Sequence, residues 1–382
     1  MILALTCGAT KASEPILIGL DADMSSSSAI GGEAIRRGAT IAIDEVNDAG
    51  GVLGRPLKLV VRDHRGNPDR GVDNVSEFAA MDDLVAVMGG VHTPVAMAEL
   101  EEIHKHGLIY LGPWAAGTNV VENGHQPNFV FRVSVRDEYA GEFLVDAAFE
   151  RGYRHLGLLL WQTAWGRSGE AALTEALSRR DSKPVAVEWF NTGARSVAEQ
   201  IEAIRLAGAD VVMLIAQPEG GVAAVHDMAA LPPDERLPII GHWGFVGSSF
   251  HDNVRDDLDD VDLTFLQTFS FFDPPFPRRA EDVLAAYCVH FEGCDGPASV
   301  SAPTGTAHAY DLVHLLTRAI DQAGTVERSR VRFAMERLRR YQGLVRLYEP
   351  PFTVDDHDAL DHEDFRLAAY DKNGVIVPLS LP

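Results

Sequence analysis

Between residues 84 and 118 the chain reads LVAVMGGVHTPVAMAELEEIHKHGLIYLGPWAAGT, and the side chains with chemical potential sit in its two turns. The first turn offers His92, the Thr93 hydroxyl and free backbone N–H groups at a helix start. The second offers Trp114 and the small pair Ala115 and Ala116. Helix starts attract anions, carboxylates included. Trp165 and Trp243 stand in similar places, in loops just after later strands. Core tryptophans favour strands and helix faces, as Trp189 does; three on one sheet edge read as the aromatic walls of a pocket, with Phe271 and Phe272 adding to it. Gln217 also follows a strand and is placed to hydrogen-bond a ligand or to sit in a solvated turn. His92 borders Thr93, where it donates to a ligand or is satisfied by backbone. This is binding chemistry. The chain has no G-x-S-x-G, P-loop, H-E-x-x-H or post-strand G-x-G-x-x-G, and nothing arranges its serines, histidines and aspartates as a triad. Asp355-Asp356-His357-Asp358, followed by Asp361-His362, has metal-ligating residue types. No motif context fixes a coordination geometry there, so no metal and no cofactor are expected.

These turns need elements to hold them. Val85 to Met88 is a continuous apolar run, as in a strand buried on both faces. Gly89-Gly90 stop it, Thr93 falls at the N-cap and Pro94 at the first helical position. Met97, Leu100 and Ile103 form an apolar stripe, Gly107 ends the helix, and Leu108 to Leu111 make the next strand. Upstream, strand Ile16–Leu20 opens into a polar turn of Asp21, Asp23 and four serines. A helix follows through Ile35, Ala39, Ala42, Ile43 and Val46, then strand Leu57–Val61 and helix Asp69–Met81. Asn128 to Val135 breaks the rhythm with a strand segment. A second series then follows. Its helices are expected at about Asp137–Arg151, Arg167–Ser178, Ser196–Ala207 and Gly221–Ala230. Its strands are expected at His155–Trp161, Val185–Phe190, Val211–Ala216 and Ile239–Ile240. Phe265 to Phe272 reads as strand, then helices at about Arg278–Phe291, Gly305–Ala323 and Glu327–Tyr341, and a closing hairpin of Phe365–Tyr370 with Val375–Val377. Two αβ series argue for two similar lobes with parallel sheets, and ligands of such sheets sit at the strands' carboxyl ends.

With 382 residues the chain is long enough for two domains. Its 46% apolar and 23% charged content are those of a globular protein. The formal net charge of -23, from 56 acids and 33 bases, opposes nucleic-acid or anionic-membrane binding. Cys288 and Cys294 are spaced for either a local disulfide or free thiols. Ile2 to Leu5 is too short for a signal-peptide core and reads as a remnant of one or as a frayed terminus. Cys7-Gly8 fits a lipid-attachment site poorly.

From about Pro15 onward the chain resembles the type I periplasmic solute-binding proteins of ABC importers, in the leucine/isoleucine/valine-binding branch. The resemblance is carried by GATIAIDEVNDAGGVLGRPLKLVVRD (38–63), VAVMGGVHTPVAMA, LIYLGP, FVFRVSV, the Trp165-Gly166 turn and HAYDLVHLL (308–316). It implies an α/β fold of two Rossmann-like αβ lobes joined by three crossover strands, closing on a ligand like a hinged clamp. Lobe one would comprise 15–133 with 268–362 and lobe two 134–267 with 363–382, leaving 1–14 outside. Thr93 matches the hydroxyl residue that holds a ligand carboxylate, and Ala115 and Ala116 the small residues of the second turn. Trp165 matches an aromatic that closes over the ligand. Trp243 stands where amino-acid binders keep a carboxylate for the ligand ammonium. A buried ammonium needs a partner, so that replacement favours a non-amine aromatic or apolar acid, unless Asp137 turns into the cleft. Asp137 is equally placed as the N-cap of its helix. The implied protein is a monomer without catalytic activity, periplasmic, partnered by membrane permease subunits. A cytoplasmic amide sensor on the same fold is the alternative, and a hydrolase built in the cleft a third.

Overall fold

The computed structural model describes residues 14–379, so the Ile2 to Leu5 segment and Cys7 lie outside the described residues. The first series runs β1 (Ile16–Ala22), α1 (Ala29–Asp48), β2 (Leu57–Asp63), α2 (Pro68–Ala79), β3 (Leu84–Met88), α3 (Thr93–Lys105), β4 (Ile109–Gly112), α4 (Thr118–Val121) and β5 (Val130–Arg132). Its strands form one parallel sheet in the order β2-β1-β3-β4-β5. Every residue of β3 and β4 is buried, whereas β2 at the edge is mostly half-buried. That gradient is why the central strands read as unbroken apolar runs.

The second series runs α5 (Asp137–Glu150), β6 (Leu156–Trp161), α6 (Ala164–Ser178), β7 (Ala186–Phe190), α7 (Ala198–Leu206), β8 (Val211–Ile215), α8 (Pro218–Ala229), β9 (Ile239–Gly241), α9 (Phe250–Val254) and β10 (Leu263–Gln267). The chain then builds α10 (Pro277–His290), α11 (Pro303–Ala323) and α12 (Arg328–Met335), and a short hairpin of β11 (Tyr341–Gln342) with β12 (Leu347–Tyr348). It ends in β13 (Arg366–Tyr370) and β14 (Ile376–Pro378). The second sheet has the order β14-β13-β10-β9-β8-β6-β7, parallel except that β13 runs antiparallel to both neighbours. α11 packs along α1 and so joins the first sheet's layer, although β10 before it and β13 after it belong to the second sheet. The two-lobed α/β architecture is thus the one expected.

Several element limits differ from the sequence reading. The aromatic run 265–272 is strand only as far as Gln267, because Phe269 and Phe271 turn inward and pack edge to face at 4.9 Å. The helix expected to reach Tyr341 stops at Met335, and Tyr341 pairs with Tyr348 in the hairpin instead. The strand in 128–135 is only Val130–Arg132. α6 starts at Ala164, three residues early, because Thr163 caps it by accepting the Gly166 N–H, which moves Trp165 from a loop into the first helical turn. Cys288 and Cys294 are joined as a disulfide.

Candidate functional site

Thr93 is buried at the start of α3, but it is not the cap. His92 holds that position without a side-chain bond, and Thr93 is the first helical residue. Its hydroxyl reaches across to the second turn instead and accepts the Gly117 N–H at 3.1 Å. A hydroxyl that accepts one bond keeps its own proton to donate. The second turn is held from behind. Arg132 at the end of β5 donates to the Ala115 carbonyl at 3.1 Å and the Gly117 carbonyl at 2.9 Å, and its other edge is clamped by Asp358. Ser134 donates to the Trp114 carbonyl at 2.8 Å. The acidic run at 355–362 therefore serves as a strut. Asp358 pairs with Arg132, the His357 ring stacks on Phe131 at 4.1 Å, and Asp361 caps a short helical turn. Among the described residues no group of three or more metal-ligating side chains is assembled.

The second lobe presents Trp165, Gln217, His242, Trp243 and Gly244 to these turns. Trp114 and Trp243 meet across the lobes with ring centroids 5.6 Å apart, and His242 stands edge-on to Trp165 at 5.1 Å. All three tryptophans are buried. Gly244 has no side chain because a Cβ there would lie 2.3 Å from both the Ala216 carbonyl and the Trp165 ring. Between the lobes lies a cavity of about 10 Å³ lined by Val91, Thr93, Trp114, Ala116, Trp165, Gln217, Trp243 and Gly244. That is room for about one water molecule. This is the closed arrangement, and any larger ligand needs the two indoles to separate. A second cavity of about 440 Å³ opens outward between α3 and α6 and shares only Thr93 with the first.

Asp137 is the first residue of α5, with Arg136 at the cap. Its N–H donates to the Ala116 carbonyl at 2.9 Å and its carboxylate turns toward Trp165, whose indole N–H donates to Oδ1 at 3.2 Å. His242 takes the Trp243 N–H on Nδ1 at 2.8 Å, so its neutral ring carries the proton on Nε2. That nitrogen lies 3.2 Å from Asp137 Oδ1 without the alignment of a hydrogen bond. Around the inner cavity, buried polar atoms have no partner among the described residues. Among the lining residues they are the donor Trp114 Nε1 and the acceptor Gln217 Oε1, and next to Trp165 they are the acceptor Asp137 Oδ2 and the donor His242 Nε2. Such atoms are uncommon in a settled interior and mark where a ligand would be held.

His92 is buried but faces Gly66 and His64, 5.6 Å away ring to ring, with Ser28 Oγ at 3.4 Å from Nε2. Burial holds its pKa below the ordinary histidine value and pushes His64, also disfavoured by His92, down to about 4. Both are neutral near pH 7. Ala115 is buried beside the cavity and contributes its backbone to Arg132. Phe271 is buried, whereas Phe272 is 47% exposed and outside the cavity lining. Behind Trp243 lies His308, 6.0 Å ring to ring. It donates from Nδ1 to the Pro113 carbonyl at 2.7 Å and takes the Thr268 hydroxyl at 2.8 Å. Sequence reasoning missed Arg132, His242 and His308. Arg132 did leave a signal, since an arginine inside the apolar run FVFRVSV demands a carboxylate partner.

The family model described as "Periplasmic binding protein" matches residues 15–374. The chain belongs to the periplasmic binding protein family. Among curated relatives it is similar to the Leu/Ile/Val-binding protein BraC3 of Rhizobium johnstonii, 25% identical over 85% of this chain and 84% of the relative. Among solved structures it is similar to a periplasmic binding protein type 1 from Bordetella pertussis Tohama I, with TM-score 0.84, 21% identity and coverage of 96% of this chain and 99% of that one. It also resembles LivJ from Streptococcus pneumoniae in complex with isoleucine (TM-score 0.80, 19% identity, 96% and 100% covered). A third is an R. palustris solute-binding protein in complex with benzoate (TM-score 0.77, 18% identity, 96% and 95% covered). Members of this periplasmic binding protein family are named for binding rather than for turnover, and no helix among the described residues is long and apolar enough to cross a membrane.

Proposed function

We propose that this periplasmic binding protein is the extracytoplasmic capture component of an ABC importer. On this reading it closes on a small zwitterion between the lobes and presents it to permease subunits. The observation that carries the reading is the division of unpartnered polar atoms across the cavity. Donors come from lobe one, as the Thr93 hydroxyl proton and Trp114 Nε1. Acceptors come from lobe two, as Gln217 Oε1 at the lining and Asp137 Oδ2 beside Trp165, where the His242 Nε2 proton is the one unpartnered donor of that set. A ligand with a carboxylate on one side and an ammonium on the other answers both sets. The sequence preference for a non-amine acid rested on the missing carboxylate at Trp243. Asp137 meets the Trp165 N–H and faces His242 Nε2 at 3.2 Å through Oδ1, but its buried Oδ2 has no partner among the described residues and supports the ammonium instead.

The test is calorimetry on two matched pairs, alanine against propanoate and phenylalanine against phenylpropanoate, with the wild type and Asp137→Asn. The amino acid of a binding pair should bind more tightly, and Asp137→Asn should weaken it at least tenfold while leaving the acid unchanged. Tighter binding of the acid by the wild type would return the site to non-amine ligands. Cell fractionation tests export, with cytosolic retention counting against it.

A further inference from the structure

The two cavities between the lobes differ in what they can hold. We propose that the captured zwitterion is elongated, its side chain lying in the groove between α3 and α6 and ending in an anionic group at Arg167. This rests on the zwitterion reading above.

Sites for small molecules occupy about 300–1,000 Å³. The inner cavity of about 10 Å³ falls far short of that, whereas the groove of about 440 Å³ lies within it. Thr93 lines both, so a ligand head held at Thr93 has the groove beside it for the rest of its body. Both halves of the molecule build this groove. α3 and α4 connect strands of the first sheet, and α6 connects strands of the second. Thr118 and Ser168 face one another in its wall, where the Thr118 N–H donates to Ser168 Oγ at 3.1 Å. An occupant therefore touches both lobes and favours the closed state, so that holding the tail and holding the head reinforce one another.

The lining selects the tail. Met97, Ala164, Ala171 and Ala172 make an apolar stretch. Such a surface suits methylene groups, each worth roughly fourfold in affinity when fully buried. The charged side chains of the lining are Glu138, Arg167 and Glu175. Glu138 is paired with Arg136 at 2.6 Å and Glu175 with Arg179 at 3.3 Å. Arg167 has no side-chain partner among the described residues. A guanidinium presents a planar fork of donors that fits a carboxylate. An apolar chain with a carboxylate at its far end answers both features.

Calorimetry with L-alanine, L-2-aminoheptanoate and L-2-aminopimelate tests this, since the last two are equally long and differ in the terminal carboxylate. Aminopimelate should bind at least tenfold more tightly than alanine. It should bind about threefold more tightly than aminoheptanoate, the scale of an exposed ion pair, and that margin should shrink as salt rises. Ala171→Phe, at an exposed position of α6, should fill the groove and remove the preference for the longer ligands. Arg167→Gln should remove the preference for aminopimelate over aminoheptanoate. Thermal melting checks that both variants fold. Alanine binding as tightly as aminopimelate, or a length preference that survives in folded Ala171→Phe, would overturn the proposal and leave the zwitterion reading standing. Equal binding of aminoheptanoate and aminopimelate would overturn the anionic end. Binding of heptanedioate, which lacks the amine, with none of the three amino acids bound would overturn both readings.

Discussion

Thr93 shows how one hydroxyl can serve a position other than the one its sequence neighbours suggest. Ser, Thr or Asp before a proline at a helix start reads as a cap, yet here the hydroxyl ties the first turn to the Gly117 N–H of the second. Thr93→Ala should therefore cost about 1 kcal/mol through that lost bond rather than through fraying of α3. It should also weaken carboxylate binding by more than the stability change accounts for. Denaturation and calorimetry on the same variant separate the two effects, and full affinity in a folded variant would remove Thr93 from the site. A second buried set lies beneath the first sheet. Asn74 donates to Asp21 Oδ1 at 2.7 Å, while Asp21 Oδ2 and both Glu99 oxygens lack partners among the described residues. Burial pushes the Asp21 carboxyl up to about 6 and, with Asp21 as neighbour, holds Glu99 well above the usual carboxylate range. The native state thus keeps its proton to higher pH than the unfolded chain, whose carboxyls titrate near 4. This contribution is complete below about pH 4 and is lost as pH rises through 6. Glu99→Gln should therefore gain in Tm relative to the wild type between pH 4 and pH 7. A Tm difference that stays constant with pH would show that the pair does not titrate.

At the scale of elements, the two lobes touch where the start of α1 meets the turn after β9. The Gly31 N–H donates to the Gly247 carbonyl at 2.7 Å. Gly247 has a φ of +76°, and a Cβ there would lie 2.8 Å from the Gly31 Cα. Alanine at this position would oppose both the local conformation and the approach of the lobes. The first effect should cost about 1 kcal/mol in stability. The second should weaken ligand binding beyond that, because binding draws on closure. Calorimetry decides: unchanged affinity would mean that this contact is not part of closing. A further bridge, the Thr118 N–H donating to Ser168 Oγ at 3.1 Å, joins α4 to α6 on the far side of the cleft.

For the molecule as a whole, the inner cavity of about 10 Å³ sets the terms of access. Trp114 belongs to one lobe and Trp243 to the other, so hinge opening separates the rings and ligand binding must bring them back over the guest. Small-angle scattering should show the radius of gyration falling when a ligand is added to saturation. An unchanged radius across a ligand that calorimetry shows to bind would count against the clamp.

Much of this was legible in the chain alone. Apolar periodicity located most strands and helices, because a buried strand or helix face must be apolar wherever it lies. The turns at 92–93 and 114–116 were visible for the same reason, as polar or small residues following buried strands. Tertiary structure decided what those turns face. Phe271 and Phe272 are adjacent and alike in sequence, yet one is buried and the other half exposed. Asp137 reads equally as a cap or a ligand group until Trp165 and His242 come up against it from other elements. Arg132 and Asp358 stand 226 residues apart and hold the second turn together. Periodicity reports only how much of a residue is buried. Which partner it meets depends on long-range packing, and that pairing has no local trace.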